Sequence, residues 1–454
     1  MAIEDALAAW LGNQRWFAGK GQELRDLAVV ADTELIIGDP ELRHLVVAVS
    51  HGTTVDYYQI LVGLRRQLPE RLEHVRIGPA GDGRTAYDAL HDTELTKPVL
   101  AAMAANEEAD PLRLLSVPGA SFETDLDSLV LGAEQSNTSL IFGAESILKM
   151  FRRLSPGPNP DLEVTMALAE LGSSQIAEPL GWIETRLEGV PTTLGILSRY
   201  LRTATDGWTL AATSVRDLYA AVGDNGGAGA DQVRAADAGG DFAGEARRLG
   251  AATAQVHADL ATAFGTDELG PDAVRELTDR MFRKLDLAAA AVPELAKHTE
   301  MISDSYAALA RLPGPFPVQR VHGDYHLGQV LRDETGWVVL DFEGEPATPM
   351  AQRRARSSPL RDVAGMLRSF EYAARHQLVG QPSQGALNDA ARDWVRRNHV
   401  EFCLGYAEAG GLDPVASQVL LRALQLDKAV YEVLYEARNR PSWLPIPLDS
   451  LAEF

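Results

Sequence analysis

The sequence predicts an α+β chain of two lobes, with an antiparallel-sheet cap at its N-terminus and a mainly helical C-terminal lobe. Three observations carry this expectation. First, β-prone runs at 27–37, 44–50 and 55–63 are separated by the turn residues Gly38-Asp39-Pro40 and His51-Gly52-Thr53, the pattern of a small antiparallel sheet. Second, from about 127 to 201 the chain reads as hairpin, strand, helix and strand. Third, beyond 242 apolar residues recur at helical spacing through 242–263, 273–290, 297–311, 360–377, 386–410 and 414–438. The expected division is a cap subdomain at 1–90, a small lobe at 91–201 and a helical lobe at 202–454, within a chain of 454 residues.

In chain order, a short helix around 3–11 leads into Gln14-Arg15-Trp16-Phe17-Ala18-Gly19, and the three cap strands follow. Ala and Leu at helical spacing suggest a helix near 85–107. Apolar runs at 129–131 and 139–142 bracket the polar loop Glu134-Gln135-Ser136-Asn137-Thr138, and Ile147-Leu148-Lys149-Met150-Phe151 reads as the next strand. A helix start then appears, with Asn159 as cap, Pro160 at the first helical position and Asp161 and Glu163 in the first turn, while Gly172 ends it. The apolar run 191–201 is a further strand. Residues 222–241, rich in Gly, Ala and Asp, read as a mobile insertion.

Acidic residues outnumber basic ones, 64 to 42, giving a formal net charge of −22. Such a chain is no general binder of nucleic acid or of anionic membrane, and any phosphate it holds needs local cations or a metal. The single cysteine, Cys403, lies among Phe402, Leu404 and Tyr406 and reads as a buried small hydrophobe. No run approaches a membrane span, and Met1-Ala2-Ile3-Glu4-Asp5 lacks the cationic start of a signal peptide, so the expected location is cytoplasmic.

The chemistry is written in His322-Gly323-Asp324-Tyr325-His326-Leu327-Gly328-Gln329, followed by Asp341-Phe342-Glu343. An Asp, an amide five residues on, and a second Asp closing the apolar run Trp337-Val338-Val339-Leu340 form a phosphoryl-transfer signature of the protein-kinase type. Asp324 is the candidate base for the attacking hydroxyl. Gln329 and Asp341 are hard oxygen ligands suited to Mg²⁺, with Glu343 and Glu345 as further acidic candidates. Each aspartate alone also fits a turn or a strand end; the order and spacing favour the catalytic reading. Lys149 shares a strand face with Ile147 and Phe151, and its ammonium needs a partner, which Glu163 or ATP phosphates can supply. The loop at 134–139, including Gln135, Ser136, Asn137, Thr138 and Ser139, could turn backbone N–H groups toward phosphate oxygens, and equally fits a plain hairpin turn. Hairpin, strand with Lys and helix with Glu follow the order of a kinase small lobe.

His322 and His326 lie four residues apart, yet no third ligand stands near, so a hydrogen-bonded orienting role for His322, and that role or a substrate contact for His326, outweigh a zinc site. Asp362, in Pro359-Leu360-Arg361-Asp362-Val363-Ala364-Gly365, could accept N–H bonds from the catalytic loop or simply complement a helix dipole. The last long helix carries Lys428, Tyr431, Glu432, Tyr435, Arg438 and Asn439 at three- and four-residue steps, with Trp443 just beyond. Aromatic planes beside charged groups suit a sugar; an ordinary salt-bridged surface helix is the alternative.

Several of these segments together resemble actinobacterial maltokinases: Gln135-Ser136-Asn137-Thr138-Ser139, Ile147-Leu148-Lys149, Val321-His322-Gly323-Asp324, Asp341-Phe342-Glu343-Gly344-Glu345-Pro346, and Arg440-Pro441-Ser442-Trp443-Leu444-Pro445-Ile446-Pro447-Leu448, with Gln14-Arg15-Trp16-Phe17-Ala18-Gly19 at the N-terminus. The kinase motifs are shared with aminoglycoside phosphotransferases, and the terminal motifs discriminate. The resemblance implies a bilobal, protein-kinase-like fold with the cap sheet on the small lobe. It also implies ATP- and Mg²⁺-dependent phosphorylation of maltose at the anomeric hydroxyl, giving maltose 1-phosphate for α-glucan synthesis, beside trehalose synthase as a partner. Matched by motif position, Asp324 is the base and Gln329 and Asp341 are metal ligands. Lys149, oriented by Glu163, grips phosphate with the 134–139 loop, and Lys428, Tyr431, Glu432 and Tyr435 line the sugar site. A kinase for glucosamine or an aminoglycoside, or an idle kinase-like scaffold, are the alternatives.

Overall fold

A computed structural model describes residues 3–19, 26–51, 54–132, 136–224, 233–345, 348–380 and 385–454. Two compact units emerge, Met1–Ala169 with Ala177–Arg202, and Glu170–Ile176 with Thr203–Phe454. The first carries the antiparallel sheets and the second is mainly helical, as the fold class predicted.

In the first unit, among the described residues, strands Asp26–Ile36, Glu41–His51, Thr54–Arg65, Thr85–Asp88 and Arg76–Pro79 pair in that order, and the short strand Arg153–Leu154 joins the edge of Thr54–Arg65. Alternation accounts for the pairing: inward Leu45, Val47, Val49, Tyr58, Ile60 and Val62 pack against Ala6, Leu7 and Leu11 of the helix Ile3–Leu11 and against Phe17. The second sheet runs Glu108–Ala109, Leu112–Ser116, Pro179–Leu187, Val190–Arg199, Ser146–Met150, Thr138–Phe142, Ser128–Val130. It holds the expected hairpin, lysine strand and last strand, with the added strand Pro179–Leu187 that the sequence reading passed over.

The helix expected near 85–107 is corrected. Thr85–Asp88 is a strand paired with Thr54–Arg65, and the helix is Thr93–Ala105. Asp92 decides the boundary. Its side chain caps the Glu94 N–H and is also held by Arg65 at 2.7 Å and the Tyr87 hydroxyl at 2.7 Å, so the helix starts where that buried carboxylate is neutralised. Asn106 in the left-handed region, φ 55°, closes it.

Buried polar groups join the two sheets. The Gln59 amide donates to the Phe151 carbonyl at 2.8 Å and to the Leu194 carbonyl, and is paired with His44 at 3.1 Å. Arg152 donates to Asp88 at 2.5 Å and to the Thr138 hydroxyl at 2.8 Å, with its guanidinium 4.8 Å from the Trp16 ring. This gives the Gln14-Arg15-Trp16-Phe17 segment a physical role: it supplies an aromatic face for a buried cation.

The second unit packs helices Gly207–Asp224, Ala243–Phe264, Pro271–Ala291, Thr299–Ala310, Leu360–Arg375, Gly385–Glu408, Gln418–Asn439 and Pro445–Leu451; the six from Ala243–Phe264 to Gln418–Asn439 lie close to the predicted spans, while no span was predicted for the first, which takes in 222–224 of the expected insertion, or for the last. Phe242, Phe370, Trp394 and Phe402 form an aromatic core, which Trp337 reaches from the short strand Trp337–Val339. Of the expected insertion at 222–241, residues 225–232 lie outside the described residues. Its remainder is tethered, by the Ala235 N–H to Asp393 at 3.0 Å and by Asp241 to Arg397 at 2.6 Å. No helix among the described residues is long and apolar enough to cross a membrane.

Candidate active site

The site residues expected from the sequence divide between the two units. In the first, Asn159 caps the helix Pro160–Glu170 by accepting the Asp161 N–H at 2.8 Å, as predicted. That cap fixes Asp161, whose carboxylate lies 3.4 Å from the Lys149 ammonium. Asp161 is therefore a partner for Lys149 that the sequence reading, looking to Glu163, did not name. Lys149 also sits 5.3 Å from the Phe151 ring, and Ser139 is its direct neighbour on the adjoining strand.

In the loop at 134–139, Glu134 and Gln135 lie outside the described residues. Ser136 is exposed and Asn137 half-buried, while Thr138 and Ser139 are buried and open the strand Thr138–Phe142. The Thr138 hydroxyl is engaged by Arg152, so its side chain serves the fold.

In the second unit the catalytic loop is held from beneath by one face of the helix Leu360–Arg375. Buried Asp362 accepts the His322 N–H at 2.7 Å and the Gly323 N–H at 2.9 Å, and its Oδ2 lies 3.0 Å from His257 Nε2, whose Nδ1 meets the Tyr406 hydroxyl at 2.8 Å. Burial pushes the Asp362 pKa up, but His257, His322 and the Gly323 amide outweigh it, and the carboxyl stays below its ordinary value. Gly365 is one turn further along. A Cβ there would fall 2.6 Å from the Tyr325 carbonyl oxygen, so only glycine lets helix and loop approach this closely. Ser369, a turn beyond, accepts the Leu327 N–H at 3.0 Å. Of the two readings of Asp362, the loop-stiffening one holds.

Both histidines orient the loop. His322 Nδ1 accepts the Asp324 N–H at 3.3 Å and Nε2 donates to the Leu340 carbonyl at 2.8 Å, while Tyr325 and Phe342 flank the ring. His326 Nδ1 accepts the Gly328 N–H at 3.1 Å, and burial depresses its pKa, leaving a neutral ring whose Nε2 carries the hydrogen.

Gln329 and Asp341 come together, the Gln329 amide nitrogen 3.2 Å from Asp341 Oδ2. Asp341 takes φ 64°, unusual for a residue with a Cβ, where the chain leaves the strand Trp337–Val339. Carboxylate oxygens of Asp341 and Glu343 lie within 4.8 Å of each other. Two carboxylates at such spacing match the hard-oxygen preference of Mg²⁺, while Gln329 turns its N–H donor toward Asp341.

Asp324 Oδ1 lies 3.3 Å from the Lys428 ammonium. Burial pulls the Lys428 pKa down, yet Asp324, Glu345 and Glu432 outweigh it and the net shift is upward, so the lysine is a cation. Its ammonium is 5.0 Å from the Tyr431 ring, which stacks on Tyr435 at 6.1 Å. Burial and the nearby Glu345 carboxylate push the Tyr431 pKa up, and Arg361 lies 3.7 Å from the same carboxylate. Glu432, expected beside the sugar, turns under its helix to pair with buried Arg368 at 2.7 Å, and Arg368 also reaches Ser450 at 2.7 Å. Helical spacing placed Glu432 near the Lys428 face; only the position of Arg368, 64 residues away, shows where its carboxylate goes. Burial pushes the Cys403 thiol up to about 12, in keeping with an unreactive side chain.

A stiffened Asp-bearing loop and an amide–carboxylate pair in a helical unit, with a sheet unit carrying a paired lysine, define a kinase-like phosphotransferase. The maltokinase N-terminal cap domain model matches residues 10–92, and the phosphotransferase enzyme family (APH) model matches residues 229–397. A glucosamine kinase of Streptacidiphilus jiangxiensis is 32% identical over 332 residues, covering 70% of this chain and 72% of that protein. One of Mycolicibacterium smegmatis is 31% identical over 322 residues, covering 69% and 76%. Among solved structures, a glucosamine kinase in complex with glucosamine, ADP and inorganic phosphate aligns with TM-score 0.67 at 25% identity, covering 99% of this chain and 98% of that one. The chain belongs to the APH phosphotransferase family, in the branch that carries a maltokinase-type N-terminal cap.

Proposed function

We propose that this enzyme transfers the γ-phosphoryl group of ATP to a hydroxyl of a neutral sugar, with maltose as acceptor at its anomeric hydroxyl and maltose 1-phosphate and ADP as products. The observation that carries this reading is the Lys428–Asp324 pair at 3.3 Å, beside the stacked Tyr431 and Tyr435 rings. Asp324 accepts the proton as the sugar oxygen attacks phosphorus and the bond to the ADP oxygen breaks. Lys428 steadies the Asp324 carboxylate, and the tyrosine rings offer faces to the apolar side of a pyranose. Lys149, steadied by Asp161 and Glu163, grips phosphate with the loop at 134–139. Gln329 and Asp341, with Glu343, would hold Mg²⁺, which neutralises phosphate charge when bound. The division into a cap at 1–90, a small lobe at 91–201 and a helical lobe at 202–454 belongs to this reading, as do a cytoplasmic setting and partnership with trehalose synthase.

Glucosamine is the second reading, favoured by the names of the relatives. Its ammonium would face the Lys428 cation beside the base, an unfavourable juxtaposition in a partly buried site. ADP release assayed across maltose, glucosamine, glucose and an aminoglycoside decides. The expected result is a clear preference for maltose; equal or better turnover of glucosamine reverses the ranking, and no turnover of any sugar defeats the reading.

A further inference from the structure

The carboxylate of Glu345 has a role that the phosphoryl-transfer signature does not assign. It follows Asp341 and Glu343 in the same acidic run, so the sequence groups it with the metal ligands. Its contacts lie elsewhere. Arg361 Nη2 stands 3.7 Å from Oε2, and the carboxylate is among the charges that push the Tyr431 and Lys428 pKa values up. Glu345 thus shares its surroundings with the groups around Asp324.

Its second oxygen, Oε1, is shut off from solvent and has no hydrogen-bond partner. A desolvated carboxylate oxygen without a donor is costly, and a carboxylate readily accepts more than one hydrogen bond. Such an oxygen, two residues of contact from the base through Tyr431 and Lys428, is suited to a donor that arrives with the substrate. The charges nearby decide which donor. Asp324 and Glu345 are matched by Lys428 and Arg361, so the surroundings are balanced and a neutral hydroxyl fits better than an ammonium.

We propose that Glu345 is the specificity-determining residue of the acceptor site, accepting a hydrogen bond from one hydroxyl of the sugar while Arg361 holds its carboxylate in place. The inference rests on the proposed function, because it needs a sugar acceptor beside Asp324. The chemical step is unchanged: Glu345 takes no proton and touches no phosphorus, and its effect is on which sugar is held and how firmly.

The test uses Glu345→Gln and Glu345→Ala in the full-length enzyme, with the acceptor on which the wild type releases ADP and the series of its monodeoxy analogues. The expected result is an acceptor KM raised about tenfold or more in Glu345→Ala, and an unchanged KM for ATP. One monodeoxy analogue, poor for the wild type, should match the parent sugar in Glu345→Ala, because the oxygen that told them apart is gone. Calorimetric binding of Mg-ATP by both variants shows that they are folded. Equal losses on the parent and every analogue would make Glu345 a structural residue and overturn the assignment. A raised KM for ATP with an unaltered acceptor KM would return it to the metal, also overturning it. A wild type inert toward every sugar defeats the parent reading, and is visible before any variant is made.

Discussion

Asp324 and Asp362 are two aspartates 38 positions apart with opposite exposures and opposite tasks. Asp324 is about a quarter exposed and faces Lys428; Asp362 is enclosed and faces amides. Asp324→Asn keeps size and hydrogen-bonding capacity but removes the proposed proton acceptor, so kcat should fall by about 10²–10⁴ with the unfolding midpoint unchanged. Wild-type turnover in that variant would remove Asp324 from the role. Asp362→Asn leaves at least one of two amides and His257 poorly matched. Stability should drop by about 1–3 kcal/mol in denaturant titration, with a parallel loss of kcat as the loop loosens. The sign of its pH effect follows from its depressed folded-state pKa: its contribution is present above the ordinary carboxylate range and is lost as pH falls through the lower folded value. At this scale the sequence was explicit about Asp324, Gln329 and Asp341 because the kinase spacing is short-range. It was silent on the Asp161–Lys149 and Glu432–Arg368 pairs, since each depends on where a second element packs.

Elements acquire function through their faces. The helix Leu360–Arg375 presents Asp362, Gly365 and Ser369 at steps of three and four, and all three meet the catalytic loop. The motif around Asp362 suggested this contact; Ser369 carried no signal of its own. In the cap, the strand Glu41–His51 buries His44 against Gln59, and burial depresses the His44 pKa to about 4. The unfolded chain therefore binds a proton there between pH of about 6.5 and 4 while the folded chain does not, and stability falls as pH drops through that window. The expected loss between pH 7 and pH 5 is about 2 kcal/mol, read from denaturant midpoints, and His44→Gln should flatten it. An equal acid slope in the variant would assign the sensitivity to other groups.

The whole molecule carries 64 acidic against 42 basic residues, so an anionic nucleotide approaches through a repulsive field and must be held by local groups, for which Lys149 is the proposed cation. Raising ionic strength from about 10 mM to 150 mM shortens the screening length to roughly 8 Å and should raise kcat/KM for ATP, where a basic surface would lower it. A fall with salt would mean that the local cations dominate at long range as well.

By itself the sequence determined what repeats at short range: the alternation of the cap strands, the helical spans beyond 242, the Asx cap at Asn159 and the spacing of Asp324, Gln329 and Asp341. These are set by backbone geometry and by residues a few positions apart, which a linear reading can count. Tertiary structure alone decided the partners of buried charges. Arg152 chose Asp88, Lys149 met Asp161, Arg368 took Glu432, and Glu345 came beside Arg361. A buried ion must be neutralised by whichever opposite charge the packing brings within reach, and that neighbour can lie anywhere in the chain.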